Sequence, residues 1–338
     1  MRVGCTIGSK GPQLNPQAII DMKDLGMDCL RFQIPLAMLK QSFALYDDAV
    51  AKCNAAHIDL TLPIKHYPDT PGYPSPTEAG DMAVALASRY DGAHGHGTVQ
   101  VIEIGNEDYG YSDFGALASA MNAAYLRVQA VNPHVLVTPG STLQRNTTNM
   151  KAALTTLFKS AGSHIDCANL HTYFGIPSTG PHVPEDGSVA NVPSFSQYVQ
   201  AAQGVAAACG YPGKSIWITE FGFACTSVNH GSVVIFSEAD MWKHIQYCLD
   251  QGLALNVERM YLFTLGYGGD GMSLVQPHGH TIAYAGVKAW IAAHGGTPPP
   301  PPPPTRDQQV VALINQVIPH TDAIGVPLLT QALGLLGG

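Results

Sequence analysis

Two short stretches carry side chains of the right kinds to do chemistry together. One reads Glu103-Ile104-Gly105-Asn106-Glu107 and the other Trp217-Ile218-Thr219-Glu220-Phe221-Gly222, each an apolar strand-like run that finishes in a carboxylate. Cleavage of a glycosidic bond needs one protonated carboxyl to protonate the leaving oxygen and one carboxylate to attack the sugar carbon or activate water. Glu107 and Glu220 can do this only if the fold brings them together and gives them unlike surroundings. A single carboxylate at a strand end is commonly an ordinary loop-edge charge. The pair, with an amide attached at Asn106, is what points to acid and base work.

The elements that must position this pair are legible as an alternation of short apolar runs with longer helix-periodic stretches, up to about residue 294. The strand candidates are 2–7, 28–33, 58–63, 99–104, 135–138, 165–171, 215–220 and 259–263. Between the first two, Asn15 is placed to cap a helix, Pro16 to occupy its first position and Gly26 to stop it. Further helices are predicted over 46–56, 77–90, 113–131, 148–161, 195–209, 237–252 and 284–293. Eight strands each followed by a helix in ~250 to 300 residues is the arithmetic of an α/β protein of the (β/α)8 TIM-barrel type. A doubly wound open sheet is the alternative, weakened because no GxGxxG turn opens the first unit. In a closed barrel the fourth and seventh strands lie on opposite sides, and their carboxyl ends share the mouth where reacting groups sit.

With Asn106-Glu107 after the fourth strand and Glu220 ending the seventh, the sequence resembles clan A of the retaining glycoside hydrolases. Weaker matches are Arg31 in Cys29-Leu30-Arg31-Phe32, and His171 with Tyr173 in Leu170-His171-Thr172-Tyr173. The resemblance implies Glu107 as acid/base and Glu220 as the nucleophile that forms a glycosyl-enzyme intermediate. It also implies hydrogen bonds from Arg31 and Tyr173 to Glu220, Asn106 on the sugar 2-hydroxyl, and His171 supporting the acid/base region. Such roles are physically coherent, since a cation and a phenol donor keep one carboxylate charged while the less compensated one holds its proton. Two bland readings stay open: Arg31 paired with Glu103 inside the strand layer, and His171 as a satisfied structural histidine. Glu103 is read as at most a supporting residue, and no cofactor is required.

The resemblance covers residues 1 to about 294 as topology, but its specific motifs are a few short words. Many clan members end strand eight with a tryptophan that floors the sugar site, whereas here the stretch Tyr261-Leu262-Phe263-Thr264-Leu265-Gly266-Tyr267 has none. Trp217, Trp242 and Trp290 are expected in the core. Sugar-stacking candidates are Tyr267, taken as substrate-binding, and the other loop aromatics Tyr67, Tyr73, Tyr109, Tyr111, Phe174, Phe221 and Phe223.

Composition narrows the partners. The 338 residues carry a formal charge of -8 without any Lys/Arg cluster, which excludes a nucleic-acid target. No apolar run approaches the ~20 residues of a membrane span. Seven scattered cysteines without CxxC or CxxH spacing predict free thiols and no cysteine zinc site. His94-Gly95-His96 and His278-Gly279-His280 have the HxH spacing of metal ligands but no matching carboxylate pattern, and Gly140-Ser141 lacks the GxSxG elbow of a nucleophilic serine. The first residues enter a strand without a signal-type layout, so folding in a reducing cytoplasm is expected. A removed leader, or packaging into a phage particle, would bring such a chain to external glycans.

Residues 1–296 are therefore expected to form the barrel, 297–305 a polyproline linker with seven prolines from Pro298 to Pro304, and 306–338 a short helical tail. At ~3.1 Å per residue the linker is a semi-rigid spacer of roughly 20 Å. The tail is too short to fold alone, and Val310, Val311, Leu313, Ile314 and Val317 place an apolar stripe on one helical face, suited to docking on a protein partner or to self-association. Two functions follow: a retaining hydrolase of a poly- or oligosaccharide, or a carbohydrate-binding or structural component of an assembly on the same barrel. Truncation after Gly296 is expected to leave hydrolysis of a small soluble substrate unchanged and to lower the mass seen in light scattering. A truncated barrel that unfolds or loses activity would place the tail on the catalytic domain instead.

Overall fold

A computed structural model describes residues 1–8, 14–33, 42–64, 75–106, 114–141, 147–173, 193–225, 236–266 and 272–295. The chain alternates as β1 (Arg2–Gly8), α1 (Pro16–Leu25), β2 (Cys29–Gln33), α2 (Asp47–Ala55), β3 (Asp59–Ile64), α3 (Pro76–Arg89), β4 (Val101–Ile104) and α4 (Phe114–Val131). It continues as β5 (Leu136–Pro139), α5 (Thr147–Ala161), β6 (Cys167–His171), α6 (Phe195–Ala208), β7 (Ser215–Phe221), α7 (Glu238–Ala254), β8 (Arg259–Phe263) and α8 (Ile282–His294). All eight strands are parallel, in the order β5-β4-β3-β2-β1-β8-β7-β6. The pairing of β1 with both β2 and β8 leaves β5 and β6 as the end strands, and hydrogen bonds across that last seam remove the open-sheet alternative. At the remaining seam, Asp166 N–H donates to Val137 O at 3.0 Å and Val137 N–H to Asp166 Oδ2 at 2.6 Å. The fold is a (β/α)8 barrel, as expected.

Local chemistry explains the boundaries. In α1 the Asn15 side chain accepts from Gln17 N–H at 3.0 Å, Pro16 opens the helix, and Gly26 ends it at φ +78°, in the left-handed region a glycine enters without penalty. Ser75, Ser194, Ser237 and Thr281 cap α3, α6, α7 and α8 in the same manner. The second helix covers Asp47–Ala55, close to the expected 46–56, and a 3-10 turn over Phe43–Tyr46 leads into it. A two-residue hairpin, β9 (Val275–Gln276) with β10 (Gly279–His280), follows β8 and has too little sequence to be foreseen.

Outward-facing strand residues such as Leu30, Phe32, Ile102, Ile104, Ile216 and Ile218 join helix residues in one apolar cluster. The barrel interior is largely polar. Thr61 Oγ1 lies 3.0 Å from Tyr261 OH, and Asn169 Nδ2 donates to Thr138 Oγ1 at 3.4 Å. Nearer the amino ends of the strands, the Arg259 guanidinium lies 4.3 Å from the Trp217 ring centre, and Arg2 bridges Asp28 and Asp59. Trp217 and Trp290 are buried and Trp242 packs against the core, in line with expectation. All seven cysteines are free thiols, five of them buried.

The seam residue Asp166 offers a test. Burial pushes its pKa up to about 6, only partly opposed by the bond from Val137 N–H and by Lys214. A carboxyl with a raised folded pKa stabilises the fold most below its unfolded pKa, and that contribution is lost as pH rises through about 4 to 6. Asp166→Asn keeps an acceptor for Val137 and never ionises. Its melting temperature relative to wild type should rise from no difference at pH 4 to a plateau above pH 7 worth on the order of 2 kcal/mol. A difference that does not vary with pH would contradict the assignment.

Candidate active site

Strand alternation puts Arg31 and Gln33 of β2 on the same face, turned into the barrel, while Leu30 and Phe32 turn to the helices. On β4 the same alternation turns Glu103 inward, and on β6 it turns Asn169 and His171 inward. Strand β7 departs from it. Trp217 and Thr219 face inward, yet Glu220, the next residue, also enters the mouth. The register with both neighbours shifts there: Leu170 pairs with Ile218 but His171 with Glu220, and Met260 pairs with Ile218 but Leu262 with Phe221. One extra residue in β7 therefore forms a bulge that re-aims Glu220. It is held from both sides, by Thr6 Oγ1 donating to Thr219 O at 2.9 Å and Thr172 N–H donating to Glu220 O at 3.1 Å.

Glu220 is met by donors on both carboxylate oxygens. Arg31 Nη1 donates to Oε1 at 2.5 Å, Gln33 Nε2 to Oε1 at 2.8 Å, and Tyr173 OH to Oε2 at 3.1 Å. Arg31 is fully buried and binds Glu103 in a bidentate fork, Nε to Oε2 and Nη2 to Oε1, both at 2.7 Å. Its Nη2 also donates to Asn106 Oδ1. Burial works against the charge of Arg31, but the Glu103 carboxylate first, and Glu220 after it, hold its pKa above that of a free arginine. Asn106 reaches this position because Gly105 turns the chain at φ +88° and Gly140 at the end of β5 approaches closely. A Cβ on Gly140 would collide with the Gly105 carbonyl carbon and the Asn106 nitrogen.

Five expected residues can be placed. Arg31, Asn106, His171, Tyr173 and Glu220 converge at the carboxyl ends of β2, β4, β6 and β7. Both readings of Arg31 hold at once, since it pairs with Glu103 and with Glu220. His171 has Nδ1 3.7 Å from Glu220 Oε2 and Nε2 3.0 Å from Thr219 Oγ1, and the acid/base residue it is expected to support lies outside the described residues. Glu107 and Tyr267 lie outside the described residues, as do Tyr67, Tyr73, Tyr109, Tyr111, Phe174, the linker and the tail. Phe221 and Phe223 are not wall residues. The bulge returns Phe221 to the outward face, and both are buried in the apolar cluster, Phe223 against Phe236 and His244.

Two participants escaped the sequence reading. Gln33 lies two residues after Arg31 and so on the same strand face, a signal that was present. Phe263, half-buried at the end of β8, sets its ring edge-on to Tyr173 at 6.4 Å between centres. His94 and His96 face Asp91 and Asp47 at the amino-end side of β4, away from the mouth. Among the described residues no group of three His, Cys, Asp or Glu could hold a metal ion, and no helix is long and apolar enough to cross a membrane.

No protein-family model matches the sequence, and no curated protein matches it. Solved structures do. An endo-1,4-beta-D-mannanase from Thermotoga petrophila is similar at TM-score 0.63 and 13% identity, over 86% of this chain and 99% of the other. A family 39 glycoside hydrolase from Bacteroides cellulosilyticus is similar at TM-score 0.63 and 12% identity, over 85% and 62%. A Pseudomonas stutzeri endoglucanase is similar at TM-score 0.62 and 14% identity, over 85% and 93%. These likenesses show a shared fold, and the neighbours that share it are glycoside hydrolases.

The buried cation predicts a stability pattern. Arg31→Met leaves two carboxylates facing each other without a counter-charge, and should cost about 3–5 kcal/mol in urea unfolding at pH 7. Adding Glu103→Leu should recover part of that loss, because an apolar pair replaces an uncompensated charge. A double variant less stable than Arg31→Met would refute this account.

Proposed function

We propose that this chain is a retaining glycoside hydrolase acting on a poly- or oligosaccharide. The observation that carries the reading is the environment of Glu220. A carboxylate at the mouth of the barrel accepts hydrogen bonds from Arg31, Gln33 and Tyr173, which favours its charged form and fixes its direction. Support comes from Asn106-Glu107, which follows β4 in the sequence, and from the glycoside hydrolases among the structural neighbours.

In this mechanism a Glu220 oxygen attacks the anomeric carbon as the glycosidic C–O bond breaks, and the proton of Glu107 passes to the leaving oxygen. Glu107, now a carboxylate, then takes a proton from water as that water attacks the same carbon and releases Glu220. Because Asn106 Oδ1 is engaged by Arg31, its Nδ2 is the group left to donate to the sugar 2-hydroxyl. Tyr267 and Phe263 supply apolar faces for the sugar ring. The tail, residues 306–338, is proposed as a docking element that takes no part in hydrolysis.

A glycan-panel hydrolysis assay tests this reading. Glu220→Ala should abolish turnover and regain part of it with azide, which takes the place of the missing nucleophile. Glu107→Gln should lower turnover of substrates with poor leaving groups by roughly 10²- to 10⁴-fold, and that of activated aryl glycosides far less. Wild-type activity in both variants would sink the assignment.

A further inference from the structure

The mechanism above leaves unused a buried charge that touches the site. Glu103 on β4 is fully buried, and both of its carboxylate oxygens are committed to Arg31. Arg31 in turn holds Glu220 through Nη1 and Asn106 through Nη2. We propose that Glu103 is a positioning residue, which clamps Arg31 so that one guanidinium orients both Glu220 and Asn106, and which takes up part of the positive charge that would otherwise quench Glu220 as a nucleophile.

The geometric half follows from the shape of the groups. A planar guanidinium gripped along its Nε/Nη2 edge by a bidentate carboxylate cannot rotate about its long axis, so the direction of Nη1 toward Glu220 is set from the far side. The electrostatic half follows from charge balance. One cation between two carboxylates leaves a net negative charge, whereas a neutral residue at 103 would leave a closed one-to-one pair of Arg31 with Glu220. That pair holds the carboxylate ionised to lower pH and weakens its attack. Among the described residues, the titratable or charged groups facing Glu220 are Arg31 of β2, His171 of β6 with Tyr173 just after it, and Glu103 of β4 acting through Arg31. His171 and Tyr173 are left unchanged in the variants, so their influence drops out of the comparison.

Glu103→Gln keeps the size but sets an amide NH₂ against an Arg31 donor and removes the charge. Glu103→Asp keeps the charge and withdraws it by one methylene. The kinetic arm rests on the hydrolase reading and the second arm does not. Because the chain has seven glutamates, the full-length protein labelled with carboxyl-¹³C glutamate gives a countable spectrum in which Glu220 is identified with Glu220→Gln and titrated without substrate.

For Glu103→Gln, kcat is expected to fall about 10- to 100-fold. The acid limb of kcat/KM and the Glu220 titration should both move about one pH unit lower. For Glu103→Asp, both midpoints should stay at the wild-type position while kcat still falls, which keeps the proposal open to refutation if Glu103→Gln does not fold. Lower melting temperatures with kcat per folded molecule, acid limb and titration all unmoved would make Glu103 merely structural and overturn the proposal. A wild-type chain that cleaves no glycan would sink the hydrolase reading alone, and the Glu220 titration would then decide the role of Glu103.

Discussion

A guanidinium taken out of water loses hydration worth several kcal/mol, so Arg31 can lie fully buried between β2, β4 and β7 only while acceptors surround it. Glu103, Asn106 and Glu220 are those acceptors, and each comes from a strand or strand end other than the one that carries Arg31. The site therefore cannot form piecemeal. The barrel must be closed before the cation is satisfied, and the satisfied cation ties the facing sides of the mouth together. Arginine suits this place better than lysine, because three partners in different directions need a flat donor fork rather than a point charge.

The same constraint accounts for the bulge in β7. With strict alternation, a strand that turns Trp217 and Thr219 inward would turn Glu220 toward the helices, the side on which Ile218 and Phe221 join the apolar cluster. One inserted residue lets Thr219 serve His171 and Thr6 while Glu220 enters the mouth. The apolar order resumes at Phe221. A local break in a regular ladder thus supplies one side chain to the site without moving the strand out of the barrel.

Around this centre the barrel separates its tasks by level. Toward the amino ends of the strands, Arg2, Asp28, Asp59 and Arg259 with Trp217 close the floor with charge and stacking. Above them, pairs such as Thr61 with Tyr261 satisfy each other across the interior. The apolar material lies mainly outside, between strands and helices, which frees the interior for a polar column leading up to the mouth. Conserving interior space for polar pairs costs packing enthalpy but keeps the Arg31 network in a rigid frame.

The eight-fold alternation, the helix caps and the strand ends are local properties, and period-two and period-3.6 patterns with Asn15-Pro16 and Gly26 display them in one dimension. The strand ends that carry Glu220 and Arg31 were legible from the alternation, whereas their pairing was implied only by the resemblance to clan A, the residues themselves leaving Glu103 open as the partner of Arg31. Gln33 was equally legible by its spacing from Arg31 and was passed over. The bulge was not legible, since inserting one residue leaves the composition of Ile218-Thr219-Glu220-Phe221 looking like ordinary strand; only the register against β6 and β8 reveals it. That register decided that Phe221 is core and that Glu220 shares the mouth with His171, while the contact across β2 and β4 decided that Arg31 holds Glu103 and Glu220 at once rather than one of them. These are contacts between strands far apart in sequence, and alternation along one strand tells which face a side chain takes but not which partner waits there.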